Sequence, residues 1–495
     1  MTDSSTRSKQ HILKSTSIVG GAQVVSIVIG LARAKVLAVL LGPAGIGLLG
    51  LYNSLYNTAA TIAGMGLRSS GVRQIAEATG DGDDNRIAGV RLALKILTVS
   101  LASLGALALV TFSRPLSELT FRNPDHALDI SLLAAGIFFM VVGGSQGAVL
   151  QGFRKIGDIA RSNVLGSLSG TLIGILLVYL LRERGIAPML VVSSAVACVL
   201  SWWFARRIPT TGTPGSAREI VDQCVFMLKL GSTFMLKGLM AVAVLLAVRA
   251  LIKADLGLQA VGFFGASWSI SRQYTDLVLG AMGQDFYPRL TAIHDDHAAV
   301  RKLVNEQLEV ALLLAGPMIL AMLTFAPVAI YLLYTPEFVA ESAPILRWQV
   351  LGTVFRVLTF PLGFIIVAKG HVRLHIAVEF VWNAVFLLSV FAGLGRWGIE
   401  VTGAAFLFAY VLHAGVNYVI ARRLVDYRMN RGSRLLLAAL TVLTLAIGAA
   451  GLVDERLAYA LGTPLTLGFA WHAARSLRRV IGTSPWAYVA RRLGR

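Results

Sequence analysis

Apolar runs recur from one end of this chain to the other. Most reach about 18 residues or more with few internal charges, enough for an α-helix to cross a hydrocarbon core of about 30 Å. In lipid, every backbone N–H and C=O must be bonded within the protein. Continuous runs, rather than alternating ones, select helices over a β-barrel. Of the 495 residues, 56% are hydrophobic and only 14% charged, with a mean hydropathy of +0.71. A soluble core has no use for so much apolar surface. The chain reads as an all-α polytopic membrane protein.

The runs resolve into spans at 15–40, 45–66, 90–112, 129–150, 162–181, 186–204, 226–248, 259–283, 305–333 (broken at Pro327), 343–368, 373–394, 400–420, 435–453 and 457–474, about 14 in all. With both termini cytoplasmic, basic residues in inner loops and the tail outnumber those in outer loops roughly three to one, as the positive-inside rule expects. Arg249 and Lys253 fall among the outer-loop residues on this count. The net charge of +19 is then a topological signal, and no nucleic-acid-binding motif accompanies it. Cys198 and Cys224 lie at or near the inner side and are not expected to be bridged. The polar start, 1–10, leads directly into a span too long for the apolar region of a signal peptide.

Positions 206–220 hold Pro209, Thr210, Thr211, Gly212, Thr213, Pro214 and Gly215, a composition of turn formers that reads as a linker. The domain reading is a six-helix lobe at 1–206, a cytoplasmic linker at 207–224 and a second six-helix lobe at 225–424. An extra transmembrane hairpin follows at 425–474, and a basic amphipathic tail on the inner leaflet at 475–495. A repeat supports the two lobes. The turn at 41–47, Leu-Gly-Pro-Ala-Gly-Ile-Gly, returns at 256–262 as Leu-Gly-Leu-Gln-Ala-Val-Gly, with Gly265 answering Gly50 and Ser269 answering Ser54. A constant offset of about 215 residues fits two parallel half-transporters related by a pseudo-two-fold axis. Gly166, Gly170 and Gly174 are spaced for close helix packing.

Charges at membrane depth cost roughly 3 kcal/mol each by insertion scales, so each wants a task. Arg33 and Lys35 are two apart on the first helix and point about 200° apart, so both reach one cavity only if the helix unwinds. Lys237 is mid-span with no acid within four residues. Arg272 has Asp276 one turn on, the spacing of a local ion pair or of a proton-linked gate. Arg356 is central in its span, five residues before Pro361, and Glu379 is one of few embedded acids. Arg347 reads as packing or snorkelling. The expected site is Arg356, Lys237, Arg272, Lys35 and Arg33 against an anionic group, with Asp276 and Glu379 in coupling or gating. A cation exporter would reverse that balance. His294, Asp295, Asp296 and His297 form a hydrophilic loop rather than a metal site. With no nucleotide-binding loop, haem site or nucleophile constellation, no cofactor and no enzymatic activity are expected.

Several segments, in order, resemble one family: the turn at 41–47, Gln151-Gly152-Phe153-Arg154, Ser269-Ile270-Ser271 through Pro288-Arg289-Leu290, Trp348-Gln349-Val350-Leu351-Gly352, and Ile366-Val367-Ala368-Lys369 to Glu379. They resemble the Wzx-type polysaccharide flippases of the O-antigen and enterobacterial-common-antigen branch. That family belongs to the multidrug/oligosaccharidyl-lipid/polysaccharide exporter superfamily. The resemblance spans about the first 425 residues. It implies two six-helix lobes forming a V, a central cavity, alternating access, and lipid-linked oligosaccharides on undecaprenyl diphosphate as cargo. Basic residues near Lys35 and Arg356 are common to the resembling flippases. Expected surroundings are the lipids of a bacterial inner membrane, and polysaccharide polymerase and chain-length proteins as partners. Within transport, the alternatives are a lipid II flippase or a multidrug/cation antiporter. From another class, the alternative is a membrane-embedded glycosyltransferase or polymerase, which would want a carboxylate or His cluster beside a large outer loop.

Overall fold

The computed structural model describes residues 2–481, with the side chains of 21–478 apart from those at positions 237, 274, 277, 281, 284 and 285. The described residues contain α-helices and short 3-10 turns, with no strand. In order the helices are α1 (Thr2–Gly64), α2 (Leu67–Asp81), α3 (Asp84–Thr111), α4 (Ser113–Phe121), α5 (Ala127–Gly152), α6 (Ile156–Leu181), α7 (Ile186–Ala205), α8 (Ala217–Leu256), α9 (Leu258–Ala292), α10 (His297–Thr324), α11 (Ala326–Leu333), α12 (Val339–Ala368), α13 (Val372–Trp397), α14 (Val401–Val425), α15 (Arg431–Val453) and α16 (Glu455–Ile481).

Nine helical stretches among the described residues are long and apolar enough to cross a membrane. Three of these are far too long for one crossing, with 44, 50 and 54 residues. Each contains a break: Gly42 in the first, a 3-10 turn at Arg182–Gly185 in the second and another at Gly398–Glu400 in the third. Large apolar side chains such as Leu107, Leu172, Leu388 and Phe391 stand exposed along these helices, as a lipid-facing surface requires. The protein is a multi-pass membrane protein.

The break expected over 41–47 is confined to one residue. Gly42 has φ 63° and ψ −172°, a region open essentially to glycine alone. Helical geometry resumes at Pro43, whose missing N–H and fixed φ suit a first helical turn. Gly257, between α8 and α9, has nearly the same conformation, φ 86° and ψ −179°.

The parallel goes on. Asp83 and Asp296 cap the 28-residue helices α3 and α10, each carboxylate accepting two backbone N–H bonds. Phe112 and Phe325 separate α3 from α4 and α10 from α11 with similar dihedrals. Arg154 and Gly370 take positive φ just beyond α5 and α12. The 26-residue helices α6 and α13 both end at a positive-φ residue, Arg182 and Gly398, followed by a 3-10 turn. Every pair lies 213–216 residues apart.

The chain divides into two compact units, one ending at Ala254 and the next beginning at Asp255. In unit 1, α5 packs on α7 and α3, and α6 on α7 and α1. Gly170 and Gly174 of α6 lie against Ser193 and Met189 of α7. Leu67, Ile75, Leu94, Ala148 and Phe204 share a core with Met227 of α8. The polar stretch after α7 is tied to α3: Arg91 donates to the Ile208 carbonyl at 3.1 Å, and the Thr213 N–H to Asn85 at 2.9 Å.

In unit 2, α12 packs on α14, α9 and α10, and α16 on α10. The hairpin of α15 and α16 is built into this unit. Arg347, buried on α12, forms a two-pronged ion pair with Glu455 at 2.9 and 2.5 Å and donates to the Gly451 carbonyl at 3.1 Å. Gly316 of α10 makes room for Phe469 of α16.

Two sequence expectations need correction. The break in the 305–333 span falls at Phe325, so that Pro327 sits in the first turn of α11 rather than at the break. Arg249 and Lys253 are not in a loop, because α8 continues to Leu256. Pro344 and Pro361 are both carried inside α12. Residues 482–495 of the expected amphipathic tail lie outside the described residues.

Candidate functional site

Unit 2 concentrates the embedded charge. Arg272 and Asp276 face the same side of α9, one turn apart, with Nε 3.4 Å from Oδ2. Arg356, from α12, donates through Nη2 to the other carboxylate oxygen of Asp276. One carboxylate is thus shared by two guanidiniums, and the trio carries one net positive charge. Arg356 is the sheltered member, with 13% of its side chain exposed; Asp276 is about half-exposed.

The trio rests on aromatic side chains. The Arg272 guanidinium lies 5.7 Å from the Trp268 ring, within cation–π range. Trp268 stacks on Phe386, Phe386 on Trp382, and Trp382 leans on Tyr410 at 5.0 Å. Tyr410, from α14, lies within electrostatic reach of Arg356, Arg272, Glu379 and Asp276. Glu379 is on α13, and its backbone carbonyl accepts from Asn383 at 2.8 Å. Four of the residues expected from the sequence (Arg272, Asp276, Arg356 and Glu379) therefore gather around one tyrosine. Arg356 has no acid within a turn of its own helix. Its partner comes from another helix, 80 residues away.

Unit 1 holds its charges differently. Arg249 of α8 donates to the Gly50 carbonyl at 2.9 Å and to the Ser54 hydroxyl of α1. Lys253, one turn on, donates to the Phe121 carbonyl. Tyr52 donates to Asp129 at 2.6 Å, and His126 Nδ1 lies 2.8 Å from the same hydroxyl. These contacts pin α1 to α5 and α8. Sequence reasoning missed Arg249; its signal was the i,i+4 spacing with Lys253 on a helix that had not ended. Arg33 and Lys35 are both half-buried on α1. Lys237 is on α8, and its side chain lies outside the described residues. Among the described residues no cluster of His, Cys, Asp or Glu could hold a metal. Asp296 of the His294–His297 loop is occupied as a helix cap.

Three similarities follow the same outline. The lipid III flippase of Escherichia coli (strain K12) is 25% identical over 420 residues, spanning 81% of this chain and 96% of that protein. An inward-facing multidrug resistance MATE family transporter of the MOP superfamily matches with a TM-score of 0.67 at 16% identity, over 81% of this chain and 94% of its own. The lipid II flippase MurJ in an inward closed conformation matches with a TM-score of 0.65 at 12% identity, over 92% and 98%. These two structures establish the fold, and all three relatives are flippases or transporters rather than enzymes. The profile of the polysaccharide biosynthesis protein family matches residues 36–343, more than half of the sequence, and the chain belongs to that family.

Proposed function

We propose that this chain flips an undecaprenyl-diphosphate-linked oligosaccharide repeat unit, O-antigen or a related surface polysaccharide. Transfer runs from the cytoplasmic to the periplasmic leaflet of a bacterial inner membrane by alternating access. The observation that carries the reading is the carboxylate of Asp276 shared by Arg272 and Arg356 within a membrane-spanning unit. A diphosphate brings two or more negative charges into a medium where unpaired charge is prohibitive. Guanidinium groups bind phosphate oxygens in pairs of hydrogen bonds. At rest, Asp276 supplies the counter-charge and keeps the arginines aligned. Cargo phosphate replaces it, or a proton on Asp276 releases them, and Glu379 is the second acid for coupling. Arg33, Lys35 and Lys237 add positive charge along the path. Similarity to a protein named for flipping lipid III, over nearly its whole length, supports a lipid-linked cargo.

The topology that goes with this function has about 14 crossings and both termini cytoplasmic. The three long, broken stretches count twice, and α9 and α16 are added. By sequence order two six-helix lobes at 1–206 and 225–424, related by a pseudo-two-fold axis, are joined by the 207–224 linker, although α8, the first helix of the second, packs within unit 1. The 425–474 hairpin and the basic tail at 475–495 follow. Polysaccharide polymerase and chain-length proteins are the partners this function implies.

The fold is shared with a lipid II flippase, which makes that activity the second reading. Deleting the chain and analysing the lipid fraction by mass spectrometry decides. Accumulation of a complete repeat unit on undecaprenyl diphosphate supports the first reading. Accumulation of lipid II selects the second. No change in any lipid-linked oligosaccharide overturns both.

A further inference from the structure

We infer that a hydroxyl-lined cavity inside unit 1 binds the uncharged glycan of the cargo, apart from the arginine pair of unit 2. This rests on the flippase reading above and adds where the sugars go.

The cavity has a volume of about 540 Å³ and is walled by α1, α2, α5, α6, α7 and α8. That is the size of a small-molecule site. Its polar lining includes Thr61, Ser145, Asn163, Ser193, Ser194 and Ser201. Among the described residues no carboxylate lines it, and the one formal charge among them, Arg68, is on an exposed side chain.

The hydroxyls have a direction. Thr61 donates to the Asn57 carbonyl at 2.7 Å, Ser145 to Val142 at 2.8 Å, and Ser194 to Leu190 at 3.0 Å. With the protons of Thr61 and Ser145 committed to the backbone, what these two offer a ligand is acceptor lone pairs, while Ser194 also meets the Tyr56 hydroxyl at 2.5 Å. A cation would want a carboxylate, and none is among the described lining residues. An anion would meet these lone pairs and find positive charge, among the described residues, only at exposed Arg68. A polyhydroxylated neutral group donates from every hydroxyl and fits both facts.

Small polar residues in membrane helices commonly serve helix packing, and some do so here. Ser162 meets Ser201 across α6 and α7, and a Cβ on Gly143 would lie 3.0 Å from the Cys198 backbone. Packing does not explain Gly144 and Gly147. A Cβ at either would meet nothing within 4 Å, and glycine inside a helix is less stable than alanine. Their effect is to leave space in the cavity.

The test uses the full chain in nanodiscs and two probes. One is undecaprenyl diphosphate without sugars; the other is the lipid-linked oligosaccharide extracted from cells lacking the chain. Wild type is expected to bind the glycosylated probe at least tenfold tighter. Gly144→Leu and Gly147→Leu, which fill the cavity, should bind undecaprenyl diphosphate as wild type does and lose that tenfold advantage. Arg356→Ala should lose affinity for both. A second measurement needs no bulky side chain. Cys198 lines the cavity, so in a Cys224→Ala background its labelling by N-ethylmaleimide should slow at least fivefold with the glycosylated probe and not with the bare one. Full preference retained by well-folded Leu variants, or Cys198 labelling indifferent to the glycan, overturns the glycan site and leaves the flippase reading standing. Wild type binding neither probe overturns the flippase reading itself.

Discussion

Exchanging Arg356 and Asp276 tests what holds the charged site together. The structure sets the scale. Removing one partner of a fully buried ion pair costs about 3–5 kcal/mol, and of an exposed pair about 0–1 kcal/mol. Arg356 is 13% exposed and Asp276 48%, and Arg272 stays 3.4 Å from the carboxylate when Arg356 is cut back. Arg356→Ala should therefore cost about 1–2 kcal/mol, between those limits. Asp276→Ala removes the counter-ion shared by both arginines and should cost about 2 kcal/mol, the two pairs together. Arg272→Ala removes only a half-exposed i,i+4 pair, worth about 0.5 kcal/mol. The double variant R356D/D276R again gives one carboxylate beside two guanidiniums and should regain most of the loss. Thermal unfolding of detergent-purified protein ranks the set, and complementation of a deletion strain reads export. Arg356→Ala should abolish export at near-normal abundance, Arg356→Lys should keep part of it, and Arg356→Glu should be worse than Ala. An Asp276→Ala protein as stable as wild type would refute the shared-carboxylate argument. Full export by Arg356→Ala at normal abundance would remove Arg356 as a phosphate ligand.

Three further outcomes are expected. In a C198A/C224A background, cysteines at Gly80 and Gly432 should resist a membrane-impermeant thiol reagent in whole cells, whereas cysteines at Asp125 and Gly395 should react; labelling at Gly432 from outside contradicts the cytoplasmic placement. Arg347→Ala should lower stability by about 2–3 kcal/mol and expose the hairpin of α15 and α16 to protease, with Glu455→Gln milder; an unchanged digestion pattern means the hairpin is held without the pair. Gly42→Ala and Gly257→Ala should each cost about 1–3 kcal/mol from backbone strain alone, since a Cβ at either position meets nothing within 4 Å; unaltered melting temperatures would show that the chain relaxes the break.

What the sequence made legible was local. The apolar runs gave the helical class, and the i,i+4 spacing of Arg272 and Asp276 gave their pairing. The Gly-Pro pair marked the first break, although glycine alone carries it while Pro43 already belongs to the helix beyond. The repeat at 256–262 was faint because only the leucine and two of the glycines persist. Its backbone copy is much closer, since dihedral angles at Gly42 and Gly257 need only glycine, not the surrounding side chains. What escaped were pairings between distant helices: Tyr52 with Asp129, Arg347 with Glu455 and Arg356 with Asp276 are 77, 108 and 80 residues apart. Arg249 and Lys253 escaped for another reason. Charges closing an apolar run look like a loop, yet both reach backbone carbonyls from within α8.

Those partners separate charges that hold the fold from charges that can act. Arg249 and Lys253 donate hydrogen bonds to backbone carbonyls, which neither titrate nor leave. Arg347 grips Glu455 through two parallel bonds and the Gly451 carbonyl besides, an arrangement with little reason to open. Asp276 is different in kind. It is about as exposed as Glu455, but its two oxygens are taken by two separate arginines, both of which a phosphate would hold equally well. In the proposed cycle a phosphate displaces it, which changes the charge seen by Arg356 and by Tyr410. Counting embedded cations would rank Arg249 and Arg347 beside Arg356. Asking which counter-charge can be exchanged leaves the trio on α9 and α12.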